Sequence, residues 1–511
     1  MRGLGDCGIQ SDCLSIEPLE TELGRKRRIN QSTCNKDFSC VEGFCPSFVT
    51  VHGGTLRMKG TGAASRGSLP ADMPAPELPV LESVCSVLVA GIGGTGVVTA
   101  GAIISMAAHL EGKAASSLDV TGLAQKYGSV MSHVRIANGA GRIFSPRLAE
   151  GEADLVLGSD LIVTAGNECL ARLTPSRTRA FVNADVVPTG DFTSDPDWAP
   201  DAQALRERVA ARSAEARFID AARLASALVG DSIAANMFLL GVAWQLGRLP
   251  LSLEALQRAI ELNGTAVEMN RTSFAWGRAY AIDPQAVERT VGPRPSPTKE
   301  QHLEQLVEHR AALLTDYQSA SYAGRYRAMV ARVIRAERSM GGSGDLAQAA
   351  ARSYYKLLAH KDEFEVARLF CHPDFRALLD ETFEGPYTLR FHLAGGPFSR
   401  TDRASGKRVK TEAGPWIGHG FKALSALRGL RGTWADPFRG SPERRLAREL
   451  LLEYESDLEH IIGSLNAENY AAAVQLAGLP EQIRGYGHVR EASAARARVR
   501  RKSLLAQQAT L

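Results

Sequence analysis

Five of the chain's eight cysteines, Cys7, Cys13, Cys34, Cys40 and Cys45, fall within its first 45 residues, and Pro46 follows the last directly. The gaps run C-x5-C, then twenty residues, then C-x5-C-x4-C-P. Thiolates grouped beside a Cys-Pro step suit an iron-sulfur cluster. Structural zinc sites typically use two C-x2-4-C pairs, a spacing that only Cys40 and Cys45 reach, and soft thiols leave zinc and reduced, metal-free thiols as alternatives. A disulfide framework fits poorly, because no secretory signal starts at Met1-Arg2-Gly3 and Cys85, Cys169 and Cys371 are scattered singly.

A second constellation lies further on. The run Val87-Leu88-Val89-Ala90 leads straight into Gly91-Ile92-Gly93-Gly94-Thr95-Gly96-Val97, a G-x-G-x-x-G loop between an expected strand and an expected helix. Gly91, Gly93, Gly94 and Gly96 let the backbone approach a ligand, and the helix N-terminus favours a phosphate, pyrophosphate or carboxylate. The same glycines would also serve tight strand-helix packing. A dinucleotide site further asks for an acidic residue about 20 positions on, and Asp119 stands slightly late for that role. Residues 119–135, DVTGLAQKYGSVMSHVR, gather Gln125, Lys126, Ser129, Ser132, His133 and Arg135. Loops after strand C-termini face the ligand crevice of a doubly wound sheet, so this segment is expected beside the glycine loop. Gln125, Ser132, His133 and Arg135 are then binding candidates, while His133 at a strand start reads equally as a core histidine.

The elements that must position these residues show in the patterning. Short apolar and β-branched runs predict strands at 87–90, 114–118, 133–137, 154–157, 180–183 and 217–219, and helical periodicity predicts helices at 96–109, 233–246, 253–262 and 266–280. Strands alternating with helices imply a three-layer α/β domain with a mostly parallel sheet. Pro70, Pro74, Pro76 and Pro79 mark a linker before it, and Pro293, Pro295 and Pro297 a stiff spacer after it. The expected division is a cysteine-rich segment at 1–54, a linker at 55–82, the α/β domain at 83–283, a linker at 284–300 and a mainly helical domain at 301–511. Residues 387–392 interrupt that last domain as a β-rich patch, and Arg496, Arg498, Arg500, Arg501 and Lys502 read either as a basic contact surface or, preferably, as a frayed, solvated terminal helix.

At 511 residues the chain exceeds the ~250–300 a single core supports. With 44% hydrophobic and 23% charged residues and a net charge of +4 it is too balanced for a polyanion partner such as nucleic acid. No apolar run approaches the roughly 18–20 residues of a membrane span, and a cytoplasmic location is expected.

Taken together, the loop GIGGTGV, the segment LAQKYGSVMSHVRIA and the later helix at Asn236-Met237 resemble the γ domain of the 2-oxoacid:ferredoxin oxidoreductases. The wider chain resembles the C-terminal part of the fused indolepyruvate ferredoxin oxidoreductases. The match takes in the cysteine stretch INQSTCNKDFSCVEGFCPSFVTVHGG and the later stretches YYKLLAHKDEFEVARL and LPEQIRGYGHV. The resemblance implies a 4Fe-4S cluster on some of Cys7, Cys13, Cys34, Cys40 and Cys45, ferredoxin as electron acceptor, an oligomer, and coenzyme A as co-substrate near the γ domain. Family members open the cysteine segment with C-x2-C-x2-C, where this chain has Met1, Leu4 and Cys7. The family's thiamine diphosphate and Mg domains should precede the cysteine segment, and no G-D-G followed by a suitably spaced Asn occurs in these residues. Decarboxylation needs that cofactor as electron sink, so turnover is expected only with a thiamine-binding domain or subunit supplied. Two other readings stand beside this one: a nucleotide-binding enzyme of the NAD-dependent or adenylating kind, and an inactive remnant or assembly subunit.

Overall fold

A computed structural model of the chain describes residues 6–43, 45, 47–57, 69–70, 72–122, 128–186, 195, 198–293, 302–393, 400–401 and 408–510. The N-terminal region opens with helix Asp6–Ser11 and a hairpin of β1 (Ile16–Leu19) and β2 (Lys26–Ile29), followed by β3 (Ser47–His52) and β4 (Thr55–Leu56). The α/β body holds β5 (Cys85–Ile92), β6 (Ala114–Thr121), β7 (Ser129–Ala137), β8 (Leu155–Gly158), β9 (Arg179–Asn183) and β10 (Glu215–Ile219). Every predicted strand of this domain is present. β5 is a near-continuous apolar run because it is covered on both faces: Val87 and Val89 face one core with helix Val97–Leu110, and Leu88 and Ala90 face another with Leu161 and Leu170.

The sheet order is β10-β9-β8-β5-β7-β6. β10, β9, β8 and β5 pair in parallel, whereas β7 runs antiparallel between β5 and β6. The sheet is thus mostly parallel, with one reversed strand. That reversal follows from chain length: the connection between β6 and β7 is too short for a crossover helix, which needs a dozen or more residues. β6 therefore becomes an edge strand, and Asp119, exposed and opposite Ser132, lies one strand too far out to meet a ligand held by the glycine loop.

Helices Ala235–Gln245 and Val267–Ile282 close the body and cross with their backbones in contact. A Cβ on Gly241 would lie 2.1 Å from the Phe274 carbonyl oxygen, and one on Gly277 2.0 Å from that of Phe238.

The C-terminal part is helical, with a core contributed by helices Leu303–Tyr317, Ala320–Ser339, Asp345–Leu358, Pro442–Ser464 and Tyr470–Gly478. Its terminal helix Gly487–Thr510 is solvated on one face, where Arg496, Arg500 and Lys502 are exposed, and docked on the other: Arg501 is bonded to Asp457 at 2.6 and 2.7 Å, and Arg498 to Glu453 at 2.7 Å, on helix Pro442–Ser464. The expected β patch is β12 (Thr388–Leu393), and β11 (Phe383–Glu384) precedes it. β12 pairs antiparallel with β3, from Thr388 opposite His52 to Leu393 opposite Ser47, and β11 pairs with β4. The cysteine region is thereby stitched into the C-terminal unit, and β4 lies inside the stretch read as a linker.

Candidate functional site

The glycine loop leaves β5 at the sheet edge where the parallel strands end. Gly93 N–H donates to the Gly128 carbonyl at 2.8 Å, which places the end of the 122–128 connection beside the loop. Thr95 closes the turn, its hydroxyl donating to the Ile92 carbonyl at 2.6 Å, and the Asn236 amide donates to the Thr95 carbonyl from helix Ala235–Gln245. The glycines have different tasks. Gly94 and Gly96 have φ of +87° and +84°, which L side chains rarely adopt. Gly91 is a packing position, since its Cβ would lie 1.9 Å from Ser159 Oγ. Helix Val97–Leu110 then starts without a side-chain cap or an acidic residue in its first turn. Its first N–H groups are thus left for an anion or water.

Two buried acceptors flank this loop. Asp160, two residues past the end of β8, is 2% exposed; one carboxylate oxygen accepts from Val163 N–H at 2.8 Å and the other has no partner. Burial pushes its pKa from an ordinary 3.8 up to about 6, against the lowering effect of the Val163 and Ile162 N–H groups, and nearby Asp185 adds to the rise. On the other side the buried Asn236 amide oxygen lacks a partner too. Neither Asp160 nor Ser159 stood out in sequence, although the rule that picks strand C-termini also applies to the end of β8.

Asp160 gives a stability prediction with a definite sign. An acid whose folded pKa is raised contributes stability that is complete below pH 3.8 and is lost as pH climbs through about 6. Asp160→Asn keeps the acceptor for Val163 and removes the charge, so it should stabilise the protein at pH 7 by about 2 kcal/mol and flatten its stability between pH 4 and 6. Chemical denaturation across that range measures both.

Among the described residues, Ser132, His133 and Arg135 do not gather at the loop. Gln125 lies outside the described residues. Ser132, His133 and Arg135 sit on β7, which runs away from the loop: Ser129 is opposite Ile92, but His133 is opposite Leu88 and Arg135 opposite Ser86. At about 3.4 Å per residue Arg135 is ~20 Å from the loop end of its strand. Ser132 faces helix Val97–Leu110, where a Cβ on Gly101 would lie 2.1 Å from its oxygen. His133 and Arg135 face the opposite side. His133 Nδ1 accepts from Leu148 N–H at 3.2 Å, and burial, helped by Arg172, Arg147 and Arg135, lowers its pKa to about 4. Arg135 pairs with Glu152 and donates to the Arg147 carbonyl at 3.3 Å. In this geometry the two residues anchor residues 147–152 to the sheet.

The thiols lie near one another. Cys7 and Cys45 are buried with Ile16, Phe48 and Tyr486, and Cys13 and Cys40 border that cluster. Burial, then the proximity of Cys7, Cys13 and Cys34, pushes the Cys40 thiol up to about 11. The turn Ser39–Glu42 rests on the first helix through Gly43, whose Cβ would lie 2.5 Å from Cys7 Cα. None of the five cysteines is joined in a disulfide. Among the described residues no three thiols, imidazoles or carboxylates converge as ligands of one metal ion. Soft thiolates in one neighbourhood are ligands of the type used by iron-sulfur clusters and by zinc.

The sheet, with helices on both faces and a glycine loop after β5, defines a doubly wound α/β domain. Residues 86–280, which make up most of the α/β body, match the family pyruvate ferredoxin/flavodoxin oxidoreductase. Residues 303–503 match a family of unknown function. Among curated proteins the chain is similar to the indolepyruvate oxidoreductase subunit IorB of Pyrococcus horikoshii, 26% identical over 198 residues, covering 38% of this chain and 93% of that protein. The IorB subunit of Methanothermobacter thermautotrophicus is also 26% identical, over 200 residues, covering 39% and 98%. A solved structure, the keto/oxoacid ferredoxin oxidoreductase gamma subunit of Geobacter sulfurreducens, aligns with a TM-score of 0.29 and 22% identity over 39% of this chain and 98% of that one.

Proposed function

We propose that this chain is the electron-relay and docking part of an indolepyruvate-type 2-oxoacid:ferredoxin oxidoreductase. The observation that supports it best is the union, in one polypeptide, of the γ-type domain with a five-thiol segment whose cysteines are neighbours. Thiamine diphosphate and Mg belong to other domains, in the same or another polypeptide, that carry out the decarboxylation. A 4Fe-4S cluster bound to some of Cys7, Cys13, Cys34, Cys40 and Cys45 would supply a one-electron carrier. The chain's own part is to hold those thiols together, with Gly43 allowing the Cys7 backbone to meet the Cys40 turn, and to keep water from Cys7 and Cys45. At the glycine loop, the first turn of helix Val97–Leu110 offers N–H groups to an anionic group such as a phosphate of coenzyme A, while Thr95 and Asn236 hold the loop in shape. Ferredoxin and a thiamine-binding subunit are the proposed partners, in an oligomer in the cytoplasm; no helix of the described residues is long and apolar enough to cross a membrane.

Anaerobic purification, iron and sulfide analysis and low-temperature EPR after reduction provide the test, followed by addition of a thiamine-binding partner and indolepyruvate. Iron bound by the wild type, a reduced-cluster signal, and acceptor reduction only in the presence of the partner are expected. Gly43→Ala should lose most of its iron while the α/β body stays folded, because the atom it strikes is backbone and cannot rotate away. Absence of iron after reconstitution, or tight binding of NAD or ATP at the glycine loop, would overturn the reading.

A further inference from the structure

The helical unit at 303–503 belongs to a family without a known function, yet it is the part of the chain that holds the cysteine segment. We propose that this unit is the second half of the cysteine site: it completes the thiol pocket and sets the environment of the cluster bound there, with Lys361 and Tyr486 as its positioning residues. The inference rests on the cluster reading above for its electronic part, but not for its structural part.

Several contacts carry it, and those that join the cysteine segment to the helical unit link residues more than 300 apart in sequence. β12 forms the ladder with β3 over 47–52, starting two residues after Cys45. Tyr486 is buried in the same apolar cluster as Cys7 and Cys45, and its ring leans on His360 at 6.3 Å between centroids. His360 is held in turn by the Arg490 guanidinium at 2.8 Å. Lys361 Nζ donates to Ser47 Oγ at 2.5 Å, and Ser47 Oγ lies 3.9 Å from Cys45 Sγ. With the ammonium donating to its oxygen, the serine hydroxyl proton is free to point at the cysteine sulfur. Lys410 Nζ donates to the Val41 carbonyl, next to Cys40, and sits 4.5 Å above the Phe48 ring.

The chemistry of these groups is consistent. Thiolate-ligated iron is anionic, and hydrogen bonds and positive charge near its sulfurs favour the reduced form and raise the potential, while apolar cover limits solvent access. Lys361 and Lys410 bring the charge, Ser47 the sulfur-directed donor and Tyr486 the cover. Lys361 and Tyr486 also fall in the two stretches, YYKLLAHKDEFEVARL and LPEQIRGYGHV, that make the C-terminal sequence recognisable.

The test uses the anaerobically purified full chain and its Lys361→Met, Ser47→Ala and Tyr486→Leu variants, with Arg332→Met, which breaks a surface pair with Glu459, as control. Lys361→Met and Ser47→Ala should keep their iron but shift the midpoint of an EPR-monitored redox titration downward. Tyr486→Leu should lose iron to a chelator about tenfold faster. Unchanged midpoints and an unchanged rate in an iron-loaded protein would overturn the proposal. An iron-free wild type would sink the cluster reading instead, and hydrogen exchange at 47–52 would then decide: lost protection in Tyr486→Leu supports the shared site, and unaltered protection overturns it.

Discussion

Gly277→Val should leave the protein without a stable α/β body. Helices Ala235–Gln245 and Val267–Ile282 touch through Gly241 and Gly277, and a Cβ at either position would meet a partner carbonyl oxygen at 2.1 or 2.0 Å. No rotamer change relieves a collision between a Cβ and a backbone atom, so the helices must separate or the side chain must be absent. A helical glycine costs about 0.5–1 kcal/mol relative to alanine, a small loss beside the burial this contact allows. Separation would open a core that includes Phe238, Leu239, Val242, Trp244 and Phe274, and a loss above about 4 kcal/mol follows from strain and lost packing together. It would also withdraw Asn236, in the first turn of the same helix, from the Thr95 carbonyl of the glycine loop. Soluble yield and circular dichroism measure the effect. Gly324→Ala is the control, a helical glycine with open space around it, and should be neutral or stabilise by about 0.5–1 kcal/mol. A folded Gly277→Val protein would mean that this helix contact adapts far more easily than its backbone spacing indicates.

The sequence carried the elements of the α/β body well because each depends on local pattern: β5 is apolar throughout, and the helix after it begins where the glycines end. Strand order was less legible, since the reversal of β7 shows only in the shortness of the 122–128 connection. That reversal is also why Ser132, His133 and Arg135, expected beside the glycine loop, lie along the sheet and on both its faces. Asp160 and Asn236 are ordinary in sequence and become notable only through burial and an oxygen without a partner. The cysteines announced themselves by spacing. Their cover did not, because the pairing of β3 with β12 joins distant segments and leaves no local periodicity to read.

Asp362→Ala should destabilise the C-terminal unit by about 3–5 kcal/mol, the usual cost of removing one partner from a buried ion pair. The Asp362 side chain is 1% exposed and binds two guanidinium groups, Arg431 at 2.7 and 3.0 Å and Arg444 at 2.6 Å. It also caps helix Glu363–Cys371 by accepting from Glu365 N–H at 2.8 Å. Without the carboxylate, Arg444 keeps only Glu363 at 3.5 Å, and the Arg431 charge stays enclosed by Tyr317 and Phe364, whose ring faces supply only weak compensation. Burial rather than number of contacts decides the size: the surface pair Arg332–Glu459 has two hydrogen bonds as well, and its loss should cost less than about 1 kcal/mol. Because the helical core is separate from the α/β core, denaturation should show the C-terminal transition moving while the other stays in place. Asp362 adjoins Lys361, so the same variant should loosen the cysteine segment and expose residues 29–47 to protease before global unfolding. Asp362→Leu combined with Arg431→Met and Arg444→Leu should recover most of the stability, since an apolar replacement of a whole buried ionic group is often neutral or better. Recovery of stability without recovery of protease resistance at 29–47 would separate two tasks of this loop, holding the helices together and holding the cysteines.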